Sequence, residues 1–197
     1  MSWYEKLNEY FPVEEMKSKE HFELLLDEKS GIYRKDESDQ HVLMYAEFDQ
    51  FIFIDYVYVS PKTRGQGIGH QLMNRLKEKG KPIILEVEPV DYEDTDTAKR
   101  LHFYEREGFE HAESIGYAKK SLATDQLNPM EILFWSPDDE SEAAIYEKMK
   151  RTYIDIHTYK DEEIYGECYK PVEEALKIRK QARKNIFEEA KQLQSNS

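Results

Sequence analysis

Val59-Ser60-Pro61-Lys62-Thr63-Arg64-Gly65-Gln66-Gly67-Ile68-Gly69 is the stretch on which the fold turns. Upstream of it, Phe51 to Val59 is rich in β-branched and aromatic residues and predicts a strand. Pro61 and the glycines at 65, 67 and 69 break that strand. Downstream, Ile68, Leu72, Met73 and Leu76 fall on one helical face. Lys77 and Lys79 suit the helix C-terminus, Gly80 suits its left-handed cap, and Pro82 blocks continuation. The unit is therefore strand, glycine loop, helix. Alternating glycines let a backbone approach a ligand without Cβ hindrance. Unpaired amides of the loop and helix start converge on one point, with the helix dipole behind them. That is the physics of a pyrophosphate site, and Lys62 and Arg64 add positive charge to it.

Two common nucleotide loops do not fit. A dinucleotide fingerprint needs G-x-G-x-x-G, whereas this loop is G-x-G-x-G; a P-loop needs Gly-Lys-Ser/Thr where Gly69-His70-Gln71 stands. The string instead resembles the acetyl-CoA loop of the GNAT superfamily, Arg/Gln-x-x-Gly-x-Gly/Ala after a strand ending Val-x-Pro. Every position of that pattern is filled here. The resemblance implies an α/β fold with a mixed, mostly antiparallel central sheet flanked by helices. It also implies an N-acetyltransferase that moves an acetyl group from acetyl-CoA to a primary amine by direct attack in a ternary complex. Cofactor contacts would then come from Arg64, Gly65, Gln66, Gly67, Ile68, Gly69 and His70. Strand Tyr56–Val59 should splay from Ile83–Val87, so that the pantetheine arm hydrogen-bonds to Val57, Tyr58 and Val59 like an added strand.

Further on, Phe103-Tyr104-Glu105-Arg106-Glu107-Gly108-Phe109 looks like the family's Tyr-Glu-x-x-Gly-Phe segment. By that resemblance Tyr104 sits near the thioester sulfur and protonates the leaving thiolate. A phenol of pKa about 10 can do this; the alternative is a core aromatic on an amphipathic helix. Thr97 stands where the family often has Asn. Asp55, Glu86 and Glu88 are candidate bases, since each lies on a strand flanking the expected gap and an ammonium nucleophile must lose a proton before it attacks. Glu86 and Glu88 point to the same side of their strand. Solvated strand carboxylates, with water relaying the proton, are the competing reading. A non-catalytic acyl-CoA-binding or regulatory module, or an interaction scaffold, is the alternative to an enzyme.

Outward from this centre, Val13 to Glu28 reads as a helix with Met16, Phe22, Leu25 and Leu26 on its buried side. Gly31 ends it before a strand near Ile32-Tyr33-Arg34, and Lys35 to Asp39 reads as a turn. His41 to Glu47 and Phe51 to Val59 flank Asp49-Gln50 as a hairpin, and Ile83 to Glu88 is a strand between prolines. Asp96 opens a helix to about Arg106, followed by strands near Ala112–Lys119 and Met130–Trp135. Past Pro137 the chain becomes acidic and helical. We expect an acetyltransferase domain over 1–137 and a C-terminal helical extension over 138–197. Ala175, Ile178, Ala182, Ile186, Ala190 and Leu193 give its final helix one apolar side, to be buried on the domain or across a homodimer. Tyrosines 146, 153, 159, 165 and 169 either pack the extension or form a partner surface.

Composition bounds the partners. There are 28 Lys and Arg against 41 Asp and Glu, a net charge of −13, which disfavours nucleic acid and is compatible with an amine substrate, small-molecule or peptide. The 13% aromatic content argues for a folded core. Cys168 is the single cysteine, so no intrachain disulfide is possible and a reducing compartment fits. No signal peptide or membrane span is evident, and a cytoplasmic location is expected. The six histidines are scattered without metal-ligand spacing, so no metal is expected.

Overall fold

The computed structural model describes every residue except 92–94, 122, 123, 125, 196 and 197. Among the described residues, eight strands form one sheet: β1 (Tyr33–Glu37), β2 (His41–Glu47), β3 (Ile52–Val59), β4 (Ile83–Val87), β5 (Glu110–His111), β6 (Ile115–Lys120), β7 (Leu127–Trp135) and β8 (Leu176–Ile178). Their order is β1-β2-β3-β4-β7-β6-β8, with β5 paired to β7. Only β3 and β4 run parallel. This is the mixed, mostly antiparallel sheet expected from the sequence.

Period-two alternation divides the sheet's side chains between two cores. On one face Val42, Met44, Phe53, Ile84 and Ile132 pack with α1 (Trp3–Tyr10) and α2 (Lys19–Glu28). On the other, Leu43, Ile52, Ile54, Ile83, Leu85 and Leu133 pack with α3 (Ile68–Lys77) and α4 (Thr95–Arg106). The N-terminal region holds two helices where one was expected. The helix expected over Val13 to Glu28 begins only at Lys19, where Ser18 caps α2 through the His21 amide at 3.2 Å, and α1 precedes it as a separate helix. Ser2 and Glu5 close a capping box on α1, a signature that the sequence carries as Ser-x-x-Glu. β1 runs on through Glu37, so Lys35–Glu37, expected as turn, are strand; they pair with β2 down to Glu37↔Val42.

The segment past 137 is neither wholly helical nor separately packed. It comprises α5 (Glu142–Thr152), a π turn (Tyr153–His157), α6 (Asp161–Tyr165), α7 (Val172–Ala175), β8 and α8 (Ile186–Ser195). Ile145, Met149, Tyr153, Ile156 and Leu176 enter the first core, whereas Ile186, Phe187 and Ala190 enter the second. The single helix expected over Ala175 to Leu193 is broken. Leu176–Ile178 instead pairs with the open edge of β6, as Ile115↔Ile178 to Tyr117↔Leu176. Edge pairing satisfies backbone groups that a lone helix would leave the sheet to expose. Buried Glu131 fastens the connection that follows: it accepts from Arg179 at 3.1 Å, from Arg183, and from His111 at 3.0 Å. α8 then lays its apolar side on α4, so that side is filled within the chain.

Candidate active site

β3 pairs with β4 only through Ile52↔Ile83, Phe53↔Ile84 and Ile54↔Leu85. At the next residue β3 bulges. Ile54 faces Tyr45 and Tyr56 faces Met44, leaving Asp55 as the extra residue. A bulge bends its strand and increases local twist. Past Leu85 the two strands diverge, and the β4-facing edge of β3 from Asp55 to Val59 has no strand partner among the described residues. The fork expected from the sequence is here, and a cavity of about 90 Å³ occupies it.

The glycine loop lies at the start of α3. Gly65 and Gly67 both adopt φ of +80°, and a Cβ at either would meet open space. Their glycine requirement is thus backbone conformation, together with room for a ligand. Gly67 is the N-cap and supplies no side chain to the first turn. The Gln66 amide is taken by the Thr63 carbonyl at 3.2 Å. Among the described residues, the amides of Gly65, Gly67, Ile68, Gly69 and His70 have no protein acceptor. A ten-residue helix with an uncapped N-terminus is an anion site. Gly69 differs from its neighbours: a Cβ there would stand 3.0 Å from the Phe103 ring, so it permits α3 to approach α4. The His70 ring is engaged by Glu107 at 3.0 Å and Asn74 at 2.9 Å, which leaves its amide for a ligand. The Arg64 guanidinium rests over the Tyr10 ring at 5.1 Å.

Side chains from six parts of the chain line the fork. Tyr104 of α4 lies on the wall shared with α3, and burial pushes its phenol up to about 12. Asp55, Glu86 and Glu88 also line the fork, Glu86 and Glu88 on one side of β4 as their spacing predicts. Asp55 is locked. Lys17 donates to both its oxygens at 2.7 and 2.9 Å, Tyr33 donates at 2.6 Å, and its side chain is 3% exposed. Glu86 accepts from His157 Nε2 at 2.6 Å. Glu88 accepts from Arg100 at 2.6 Å and is hydrogen-bonded to Glu15. Glu15 belongs to the α1–α2 connection, which is bolted to β3 through Tyr56: that hydroxyl donates to the Glu15 carbonyl at 2.5 Å and accepts from the Lys17 amide at 3.2 Å. A second, wider groove of about 580 Å³ adjoins the fork and is lined by Glu14, Glu15, Glu88 and Asp91.

Comparison with known proteins now identifies the architecture. The family model described as "Acetyltransferase (GNAT) domain" matches residues 28–111. A Bacillus subtilis (strain 168) protein named "Putative acetyltransferase YjbC" is 62% identical over 190 residues, spanning 96% of this chain and 99% of that one. A solved GNAT-family structure from Bacteroides thetaiotaomicron gives a TM-score of 0.65 at 25% identity, covering 84% of this chain and 90% of that one. The chain belongs to the GNAT acetyltransferase family. It is a transferase, and acetyl-CoA is its cosubstrate. The fork and the uncapped α3 N-terminus fit such a ligand: one offers unpaired strand edge, the other free amides.

Two features of this acetyltransferase site were invisible in the sequence. Asp55 is a candidate base in the sequence, but only the register with β2 shows that it is the bulge residue. Glu15 falls within the helix expected over Val13 to Glu28 and is no candidate there; the fold sets it against Glu88. Burial first, and then the Glu88 carboxylate, raise Glu15 to about 8. Burial also opposes charge on Glu88, but the Glu15 hydrogen bond and Arg100 hold it below its ordinary value. The pair therefore carries one shared proton at neutral pH. Between Glu15's ordinary value of 4.5 and about 8 the folded state holds a proton that the unfolded state has lost, so this group's contribution to stability falls as pH rises through that window. Glu15→Gln, which fixes the neutral form, should flatten that loss. Melting curves at pH 6 and pH 9 check it: the wild type should lose more Tm than the variant. Equal losses would show that the shared proton is absent.

Proposed function

We propose that this acetyltransferase moves the acetyl group of acetyl-CoA to a primary amine, small-molecule or peptide, by direct attack within a ternary complex. The observation that carries the reading is the bulge-opened fork, with a phenol on one wall and carboxylates on the other. The α3 amides with Arg64 hold the pyrophosphate, and the free edge of β3 at Val57, Tyr58 and Val59 holds the pantetheine arm. Residues 1–137 carry both of these features. The acidic groove draws in a protonated amine, which no basic residue among the described lining residues repels.

Glu86 is the base in this reading. It lies one residue beyond the last β3–β4 pair, at the apex of the fork. Asp55 is saturated by Lys17 and Tyr33, and Glu88 is engaged by Arg100 and Glu15. Glu86 takes the proton from the ammonium, and the freed lone pair attacks the thioester carbonyl. The C–S bond then breaks, the second N–H proton is lost to solvent, and the thiolate takes a proton from Tyr104. Tyr104 is reprotonated from solvent, and Glu86 returns its proton to solvent, which restores both groups. A phenol raised to about 12 stays protonated at neutral pH and so remains able to donate.

Thiol release measured over a panel of primary amines, alongside calorimetric titration with CoA, tests the reading. CoA binding without turnover on any amine would favour a regulatory acyl-CoA-binding module. Tyr104→Phe keeps the ring contacts to Phe103 and Phe109, at centroid distances of 5.2 and 5.5 Å, and deletes only the proton. It is expected to lower kcat roughly 10²-fold with CoA affinity unchanged. Full activity in this variant would make Tyr104 a packing residue and solvent the acid.

A further inference from the structure

Glu86 is held by a residue that the family match does not reach. His157 stands at the end of the π turn, far beyond residues 28–111. Its side chain is 0% exposed and Glu86 is 9% exposed, so their 2.6 Å contact is sheltered from water. The Nδ1 of His157 is buried and has no hydrogen-bond partner among the described residues. A doubly protonated ring would bury an unpaired N–H there, which is strongly unfavourable. The ring is accordingly neutral, with its proton on Nε2 and donated to Glu86. Burial lowers the imidazole, in agreement with that tautomer.

The surroundings fix the ring in place. It meets Phe53 edge-on at 5.4 Å and Tyr153 at 6.2 Å. The wide winding of the π turn turns Tyr153, Ile156 and His157 inward together, at 2%, 0% and 1% exposure. The turn is anchored from outside as well: His21 Nε2 donates to the Ile156 carbonyl at 3.0 Å, and the Thr158 amide donates to the Tyr153 carbonyl at 2.9 Å. A segment that only covered the core would have no need to deliver an imidazole to a carboxylate in the fork.

We infer that His157 is the positioning residue for Glu86, holding its carboxylate at the apex of the fork, and that the C-terminal segment is thereby part of the active site. This rests on the reading of Glu86 as the base. Other groups also face Glu86: Tyr56 from β3, Lys17 from the α1–α2 connection, Tyr117 and Lys119 from β6, and Tyr153 and Tyr169 from the tail. They set a background that the variants below leave in place. Removing the His157 N–H withdraws one hydrogen bond from an ionised carboxylate, so Glu86 should titrate higher.

The test uses the full-length enzyme with acetyl-CoA and an amine on which the wild type turns over. His157→Phe keeps an aromatic ring and loses the donor. His157→Gln keeps an N–H within reach of Glu86. The Phe variant should lose roughly 10- to 100-fold in kcat, with KM for acetyl-CoA unchanged and the acid limb of kcat/KM moved to higher pH. The Gln variant should recover most of the rate and the limb. If the Phe variant does not fold, His157→Asn, whose amide falls short of Glu86, takes its place. A donor-less variant with wild-type kcat and limb, beside an inactive Glu86→Gln, overturns the inference and spares Glu86. Equal loss in Phe and Gln variants with an unmoved limb also overturns it, because only packing would then matter. An active Glu86→Gln removes the underlying reading and the inference with it.

Discussion

Removing everything after Pro137 is expected to leave a chain that does not fold. The truncation takes away Ile145, Met149, Tyr153, Ile156, Leu176, Ile186 and Phe187, all buried and divided between both cores. At about 1.5–3 kcal/mol for each large apolar side chain, these represent on the order of 10–20 kcal/mol of burial. The whole stability of an ordinary domain is about 5–15 kcal/mol. The loss reaches further than apolar area. Glu131, with 1% side-chain exposure, would keep His111 but lose Arg179 and Arg183. Stripping partners from a buried charge adds about 3–5 kcal/mol to the damage. The edge of β6 would lose β8 and stand open to other chains. Circular dichroism of residues 1–137 should show no cooperative melting transition, and most of the protein should be insoluble on expression. A truncated protein that melts cooperatively near the wild-type Tm would show that the two cores stand without the tail.

What the sequence made legible was local. The glycine loop, the α3 helix and the β2–β3 hairpin each announce themselves within a few residues, through Pro61, the glycines and the alternation around Asp49-Gln50. α1 carries a local signal in the Ser2–Glu5 box, yet it lies outside the one N-terminal helix expected, Val13 to Glu28. What escaped was set by partners distant in the chain. Helical spacing at Ala175, Ile178 and Ala182 is genuine, yet an unpaired β6 edge and Glu131 outweigh a weak local preference. The bulge at Asp55 depends on register with β2, which composition does not encode. Glu15 and His157 matter only because the fold brings them to Glu88 and Glu86. The proton carriers of the proposed mechanism, Glu86 and Tyr104, are candidates the sequence offers; the residues that hold or crowd the fork's carboxylates are not.

Gly67→Asp is expected to abolish acetyl-CoA binding while leaving the protein folded. Two effects act at this position and can be separated. The first is conformational: φ of +80° strains any residue with a Cβ, at about 1–2 kcal/mol. Asp tolerates the left-handed region better than most residues, and nothing lies within 4 Å of the added Cβ, so the fold bears this strain. The second is electrostatic. A carboxylate at the N-cap accepts the amides of the first turn, as capping residues do, and so occupies the donors that a pyrophosphate would use. It also places negative charge where the ligand's own charge must sit. Gly67→Ala carries the strain without the charge and should bind with affinity reduced by only about tenfold. Gly69→Ala reverses the pattern. Its φ is ordinary, but its Cβ would stand 3.0 Å from Phe103, so it should lower Tm by pushing α4 from α3 and weaken binding little. Calorimetric titration of the three variants with acetyl-CoA, paired with melting curves, distinguishes ligand site from packing contact. Unchanged affinity in Gly67→Asp would move the pyrophosphate away from the α3 N-terminus altogether.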